Sequence, residues 1–342
     1  MSLLVTGGHG FVMSNLARLW LDRHPQERVT ILDRDRPDEA ARRFFAGVED
    51  RIRWIAADIL DPGAWHDEAR RHGIDRIVHG AALTPFPWID EARKEHDPER
   101  EAPGRVLDVN LGGTLGVLEF ARGLPACRRL LIIGTGAVYG EAPRAGEPIA
   151  EDGPAAPRSL YAISKHAAEL TARRFAELYG LPVVVARLAA VYGPMDRMLA
   201  SRHIVCAPNK VTALALAGEA IRLGSAEGVG DWISVSDVAA ALLMLLDAEA
   251  LRHDAYNIAS GRAETLARLA ALTADLVPGT AWSVDPAEAN VLPDAGREAG
   301  RWGGYHIGRM QEEFGWTPLP LAVRLAEYID WRRDNELRGG PA

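Results

Sequence analysis

Tyr161 and Lys165 stand four positions apart in the stretch SLYAISKHAAE, whose pattern reads as the start of a helix. On a helix they share one face, and an ammonium near a phenol lowers the phenol's pKa toward working pH, suiting it to general acid–base catalysis. Thr135 lies 26 positions before Tyr161, at the end of the strand-like run RLLIIG. A hydroxyl there can orient a substrate alcohol or carbonyl against the phenol.

The N-terminus offers these residues a cofactor. TGGHGFVMSN follows an apolar strand and opens a helical pattern, so Gly7 and Gly10 allow a tight turn and close backbone approach. The helix that begins at Phe11 and Val12 then turns its N-terminus toward a pyrophosphate. Met13 stands where a further glycine is expected. A side chain there costs space rather than binding, so Met13→Gly is expected to tighten NAD or leave its affinity unchanged. Asp33 ends the run RVTILD, 23 positions after Gly10, where a carboxylate accepts ribose hydroxyls and repels a 2′-phosphate. NAD is therefore favoured, with NADP the lesser alternative because Arg34 and Arg36 are close by.

These residues need a frame. Short β-rich runs (SLLVT, RVTILD, IRWIAA, RIVHG, RLLIIG and LPVVVARLA) alternate with helical stretches near 11–23, 38–47, 62–72, 104–123 and 159–179. Such alternation predicts parallel βαβ units, hence an α/β fold with a Rossmann-type doubly wound sheet. The expected division is a dinucleotide-binding domain over 1–190, with contributions from about 231–260, and a smaller C-terminal α/β substrate lobe over 191–342. Within the lobe, SDVAAALLMLLDAEAL reads as a helix capped by Ser236, AYNIAS and AWSVD as strands, and LPLAVRLAEYIDWRRDN as a closing helix. The proline- and charge-rich segment 82–105 reads as a long surface loop at the end of a strand, a candidate lid carrying Thr84, Trp88 and Arg93.

Composition narrows the function classes. The 342 residues are 48% apolar, enough to bury a full core. A net charge of −8 and a pI near 5.7 argue against a nucleic-acid binder. Cys127 and Cys206 are too few for a zinc or disulfide framework, so no metal is expected and a reducing compartment is. The chain shows no signal-peptide pattern and no run of roughly 18 apolar residues, which predicts a cytoplasmic protein without a membrane partner.

Taken together, TGGHGF, ADILD with Asp58 and Ile59, HGAA with Ala81 and Ala82, NLGGT with Asn110, GTGAVYG, YAISK, VYGP, DWISVSDVA and YNIASG resemble, in order, the signatures of an extended short-chain dehydrogenase/reductase of the NAD-dependent epimerase/dehydratase family. The resemblance covers nearly the whole chain. It implies that Tyr161 is the general base or acid, that Lys165 lowers its pKa and holds the cofactor ribose, and that Thr135 orients the reacting oxygen. It implies dimerisation through the helices near 104–123 and 159–179.

Departures from the family pattern bear on the substrate. Dehydratases resembling this chain carry Asp-Glu after the catalytic threonine; Gly136 and Ala137 stand here. Ala190 precedes VYGP and Gly230 precedes DWI, where nucleotide-sugar epimerases tend to carry Asn and Arg. These absences favour a small carbohydrate or sugar acid, oxidised at a secondary alcohol with net NADH formation. Arg187, His203, Asn209 and Lys210 are candidates to meet such a ligand, alongside Thr84 and Thr135. The alternatives are a sugar or nucleotide-sugar epimerase using NAD transiently, and a non-catalytic dinucleotide-binding protein.

Overall fold

The computed structural model describes residues 2–85, 87–89 (88 and 89 for the backbone only), 95–140, 146–199, 201–202, 205–293, 297 and 299–336. Six strands of the first half, β1 (Ser2–Thr6), β2 (Arg28–Asp33), β3 (Ile52–Ala56), β4 (Ile74–His79), β5 (Arg129–Thr135) and β6 (Val183–Leu188), lie in one sheet. Two short strands follow, β7 (Ala190–Tyr192) and β8 (Trp232–Ser234), which pair with each other in parallel. Strand β9 (Ala255–Ile258) then returns to the large sheet against β6, so its order is β9-β6-β5-β4-β1-β2-β3, all parallel. The order reverses between β1 and β4, the point at which a crevice opens beyond the carboxyl ends of the strands.

Continuous apolar runs make these central strands. Every residue of β1 and β4 is buried, as a parallel sheet covered on both faces requires. One face is packed by α1 (Phe11–Arg23), to whose core α2 (Glu39–Phe44) adds Ala41, and the other by α3 (Pro62–Arg70), α4 (Gly113–Arg122) and α5 (Leu160–Tyr179). Trp20 of α1 and Trp65 of α3 are fully buried in these two cores. A third core joins α6 (Ala207–Leu216), α8 (Leu266–Leu276) and α10 (Leu321–Glu336). Between α6 and α8, the apolar helix α7 (Val235–Asp247) crosses back to pack on α1, and α9 (Gly308–Phe314) adds Met310 to the same core.

Three details differ from the sequence expectation. Ser234, not Ser236, caps α7: its Oγ accepts the Ser236 N–H at 3.3 Å. The helix expected over 104–123 is interrupted, with Pro103–Leu107 followed by a wider π-type turn at Asp108–Gly112 before α4. Asn110 in that turn is fully buried and holds both backbone groups of Leu83, accepting from N–H at 2.8 Å and donating to C=O at 3.1 Å, a tertiary bond that ordinary helical winding does not anticipate. The described part of 82–105 is not structureless: Trp88–Ile89 pairs with Glu95–His96, and Pro98–Glu101 is helical.

Candidate active site

A cleft of about 970 Å³ opens over the β1/β4 switch point, lined by the ends of β1, β2, β4, β5 and β6 and by residues of the C-terminal lobe. Its first wall is the glycine loop. Gly7 has φ +70°, and a Cβ there would sit 2.9 Å from the Ala81 backbone, so only glycine allows this approach. Gly10 caps α1 without any side-chain bond to the helix, which leaves the first-turn amides for an anion. Asp33 ends β2 at the cleft, with Nδ1 of His9 3.0 Å from its Oδ2; that bond raises the pKa of the imidazole above its ordinary value. Arg197 clamps the loop from outside, donating to the His9 carbonyl at 3.4 Å and to both oxygens of Asp38.

Met13 lines the cleft from the first turn of α1. It is buried, and a Cβ on Gly80 would collide with its Cγ and Sδ, so the methionine occupies space left by the glycine after β4.

Beneath the cleft, His79 at the end of β4 bridges Thr6 Oγ1 at 2.8 Å and Thr114 Oγ1 at 3.0 Å. Thr114 donates to the Asn110 carbonyl at 2.7 Å, and Thr6 Oγ1 accepts the Gly80 and Ala81 amides at 3.2 and 3.1 Å. One tautomer satisfies the chain: Nε2–H donates to Thr114 while Nδ1 accepts from Thr6. Burial, with the Lys165 charge nearby, pushes the His79 pKa down to about 3, so the ring is a neutral tie between β1, β4 and α4.

The chemistry-bearing residues meet at the far end. Ser159 caps α5, its Oγ accepting the Ala162 N–H at 3.1 Å, which sets Tyr161 in the first turn; Glu99 Oε1 accepts the Tyr161 N–H at 3.1 Å. The phenol hydrogen-bonds Thr135, the last residue of β5. Burial raises the Tyr161 pKa, while the Thr135 bond and the Arg202 guanidinium pull it back. Lys165 sits one turn on, almost wholly buried, and desolvation lowers its pKa to about 8. Arg202 thus joins Lys165, the cation expected from spacing, in the cleft that holds the phenol.

Arg202 carries no motif. It reaches the cleft because Leu199 and Arg202 close a small turn whose edge bridges Thr84: the Thr84 N–H donates to the Ser201 carbonyl at 3.1 Å. Its guanidinium pairs with buried Asp196 and lies 5.1 Å from the centre of the Phe11 ring.

Among the residues singled out by sequence, Gly7, Gly10, Phe11, Val12, Asp33, Asp58, Ile59, Ala81, Ala82, Thr84, Thr135, Tyr161, Lys165 and Lys210 all line this one cleft. Three do not. Asn110 acts from behind the wall, through Leu83 and a 3.0 Å bond to Ser164 Oγ. Arg187 does not line the cleft: its Nε donates to Glu169 Oε2 at 3.0 Å and its Nη1 to the Tyr139 hydroxyl and, at 2.8 Å, to the Glu151 carbonyl. Asn209 is buried and donates to the Asp196 carbonyl at 2.7 Å, so it braces the Asp196–Arg202 pair instead of facing a ligand. His203 and Arg93, like the Trp88 side chain, lie outside the described residues. Arg34, Arg105, Lys165, Arg202, Lys210 and Arg297 are among the residues that line the cleft, as are the carboxylates Asp33, Asp35 and Asp58.

The profile of the NAD dependent epimerase/dehydratase family matches residues 3–259. The chain is 29% identical to a dTDP-glucose 4,6-dehydratase of Mycobacterium tuberculosis, over 98% of this chain and 94% of that protein. It superposes on Thermus thermophilus UDP-glucose 4-epimerase in complex with NAD, with a TM-score of 0.77 and 25% identity, covering 97% of this chain and 99% of the other. A dTDP-glucose 4,6-dehydratase from Bacillus anthracis in complex with NAD shares the fold, with a TM-score of 0.79, 22% identity and 98% of each chain covered. The Gly7 cradle, the uncapped start of α1 and Asp33 at the end of β2 fit a dinucleotide, and Arg34, the nearest guanidinium for a 2′-phosphate, is held by Asp35 at 3.0 Å. The chain belongs to the NAD-dependent epimerase/dehydratase family and is an NAD-dependent sugar enzyme of the extended short-chain dehydrogenase/reductase type.

Proposed function

We propose that the enzyme oxidises a secondary alcohol of an anionic sugar, a sugar acid before a sugar nucleotide, with Tyr161 as general base. The observation that carries this reading is the Thr135–Tyr161 hydrogen bond inside the cleft, with desolvated Lys165 one helical turn away. A carbinol oxygen seated between the two hydroxyls passes its proton to Tyr161, while Thr135 fixes the oxygen's direction. NAD, when bound, accepts the hydride that leaves the carbinol carbon. Gly7, Gly10, the first turn of α1, Asp33 and Asp58 are assigned to hold it, and Lys165, buried in the cleft wall, to donate to a ribose hydroxyl.

Arg105, Arg202, Lys210 and Arg297 among the cleft's lining residues support a negatively charged substrate in a chain whose net charge is −8. Dehydration is disfavoured because neither Gly136 nor Ala137 supplies a carboxylate, and a Cβ on Gly136 would strike the Tyr305 ring. The test is a panel of D-gluconate, D-glucuronate, D-galacturonate, UDP-glucose and dTDP-glucose with NAD, read by NADH absorbance. No NADH from any of them would sink the dehydrogenase reading. A sugar epimerase is the second reading, favoured by the likeness to NAD-bound UDP-glucose 4-epimerase. It predicts NAD(H) retained through purification and an epimerised sugar without net NADH.

Arg202→Gln removes a cation that favours the phenolate, so the alkaline-going rise of kcat is expected to move to higher pH, with lower turnover at neutral pH. An unshifted profile would mean that another group sets the titration.

A homodimer is also proposed. Leu115 of α4, with Ile163, Leu170, Leu178 and Tyr179 of α5, leave large apolar side chains exposed on the two helices assigned to the contact. Sedimentation is expected to give a dimer that Leu170→Glu converts to monomer; a wild-type monomer at micromolar concentration overturns it.

A further inference from the structure

One aromatic side chain of the C-terminal lobe lies against the catalytic strand end without a part in the mechanism above. Gly136 follows Thr135 directly, and a Cβ built on it would overlap Cζ and Oη of Tyr305 and lie 2.6 Å from its Cε1. The Tyr305 phenol therefore fills the volume that any side chain at 136 would occupy. Tyr305 lines the same cleft as Thr135, Ala137 and Tyr161, and only 4% of it is exposed.

Its placement is fixed from three sides. The Tyr305 N–H donates at 3.1 Å to Asp231 Oδ2, a fully buried carboxylate that also accepts from the Ser260 N–H and hydroxyl at 2.6 and 2.7 Å. The backbone on either side is stitched to residue 149: the Ile149 N–H donates to the Gly304 carbonyl, and the His306 N–H to the Ile149 carbonyl, each at 2.9 Å. The ring meets Trp302 edge-on at 5.3 Å and Tyr139 at 5.9 Å. Trp302 is in turn covered by Arg297, which lines the same cleft as Tyr305. A phenol so constrained loses little freedom when it hydrogen-bonds a ligand, which is the condition for a specific contact.

We propose that Tyr305 is a substrate-positioning residue. Its hydroxyl, delivered from the C-terminal lobe to the place beside Thr135, hydrogen-bonds a substituent hydroxyl next to the carbinol that Tyr161 deprotonates. The substrate class is a polyhydroxylated sugar with vicinal hydroxyls. The inference rests on the proposed alcohol oxidation at Thr135 and Tyr161, and it assigns Gly136 a role as well, because its missing side chain admits the phenol.

The experiment compares wild type, Tyr305→Phe, Gly136→Ala and the double variant, using D-gluconate, D-glucuronate and dTDP-glucose as probes. Sugar binding to the enzyme–NAD complex is measured by calorimetry and oxidation by NADH formation. Tyr305→Phe keeps the ring, so thermal stability and NAD affinity are expected to stay unchanged while KM for the bound sugar rises by about tenfold, the loss of one neutral hydrogen bond. Gly136→Ala is expected to displace the phenol and reproduce the KM defect, and the double variant to be no worse than Gly136→Ala alone, since both changes remove one contact. Wild-type oxidation of a probe with Tyr305→Phe unchanged in KM and in calorimetric affinity overturns the inference and leaves the proposed function standing. Probes that neither bind nor react with wild type overturn the proposed function, and this assignment with it.

Discussion

Tyr161→Phe is expected to lower turnover by roughly 10²–10⁴-fold, the usual contribution of a positioned general base. The phenol oxygen is the group bonded to Thr135, and phenylalanine keeps the ring that fills the first turn of α5. The Tyr161 N–H, the group bonded to Glu99, is untouched, so the helix start and Lys165 should hold their places. NAD affinity, measured by fluorescence quenching, should change less than about twofold because the loss belongs to the reaction and not to cofactor binding. Activity near that of wild type would remove Tyr161 as the base and shift attention to another group in the cleft.

Met13→Gly is the second large effect, and it falls on stability. From sequence, a glycine here is expected to tighten NAD or leave its affinity unchanged, since Met13 stands at the place of the third glycine. Yet Met13 is 4% exposed and packs over Gly80 in the core shared with Leu16, Trp20 and Val78. Removing a buried methionine side chain costs about 2–5 kcal/mol, and glycine inside a helix about 1 kcal/mol more. For a chain of this size the Tm should fall by on the order of 10 °C, read by calorimetry. NAD affinity at low temperature should be little altered, because Gly7 and Gly10, which carry the close approach, are unchanged. A Tm within a degree of wild type would contradict the packing described.

Much of this molecule was legible in its sequence where the signal is local. The glycine loop, Asp33 at a strand end, and Tyr161 four residues before Lys165 are each fixed by a turn, a strand or a helix that the apolar pattern reveals, and these residues line one cleft. Polar residues beside strands were harder to read. Arg187 and Leu188 are neighbours on β6, but alternate residues of a strand face opposite ways, so Leu188 reaches the cleft and Arg187 the buried Glu169. Arg202 and Tyr305 were missed because no local pattern marks them. Each is brought to the site by tertiary pairing, one through Thr84 and the other through Ile149.

The return of β9 to the large sheet bears on how the protein is made. Strand β6 ends at Leu188, but its outer neighbour spans Ala255–Ile258, so residues 189–254 must emerge from the ribosome before that edge is covered. Helix α7, which shields α1, also comes late, at Val235–Asp247. A nascent chain that stops near residue 190 thus carries an open apolar strand edge and a bare helix face, the two features that invite association between unfinished chains. The cofactor half cannot be finished as an independent unit during synthesis, and a fragment cut at that boundary is expected to aggregate rather than bind NAD.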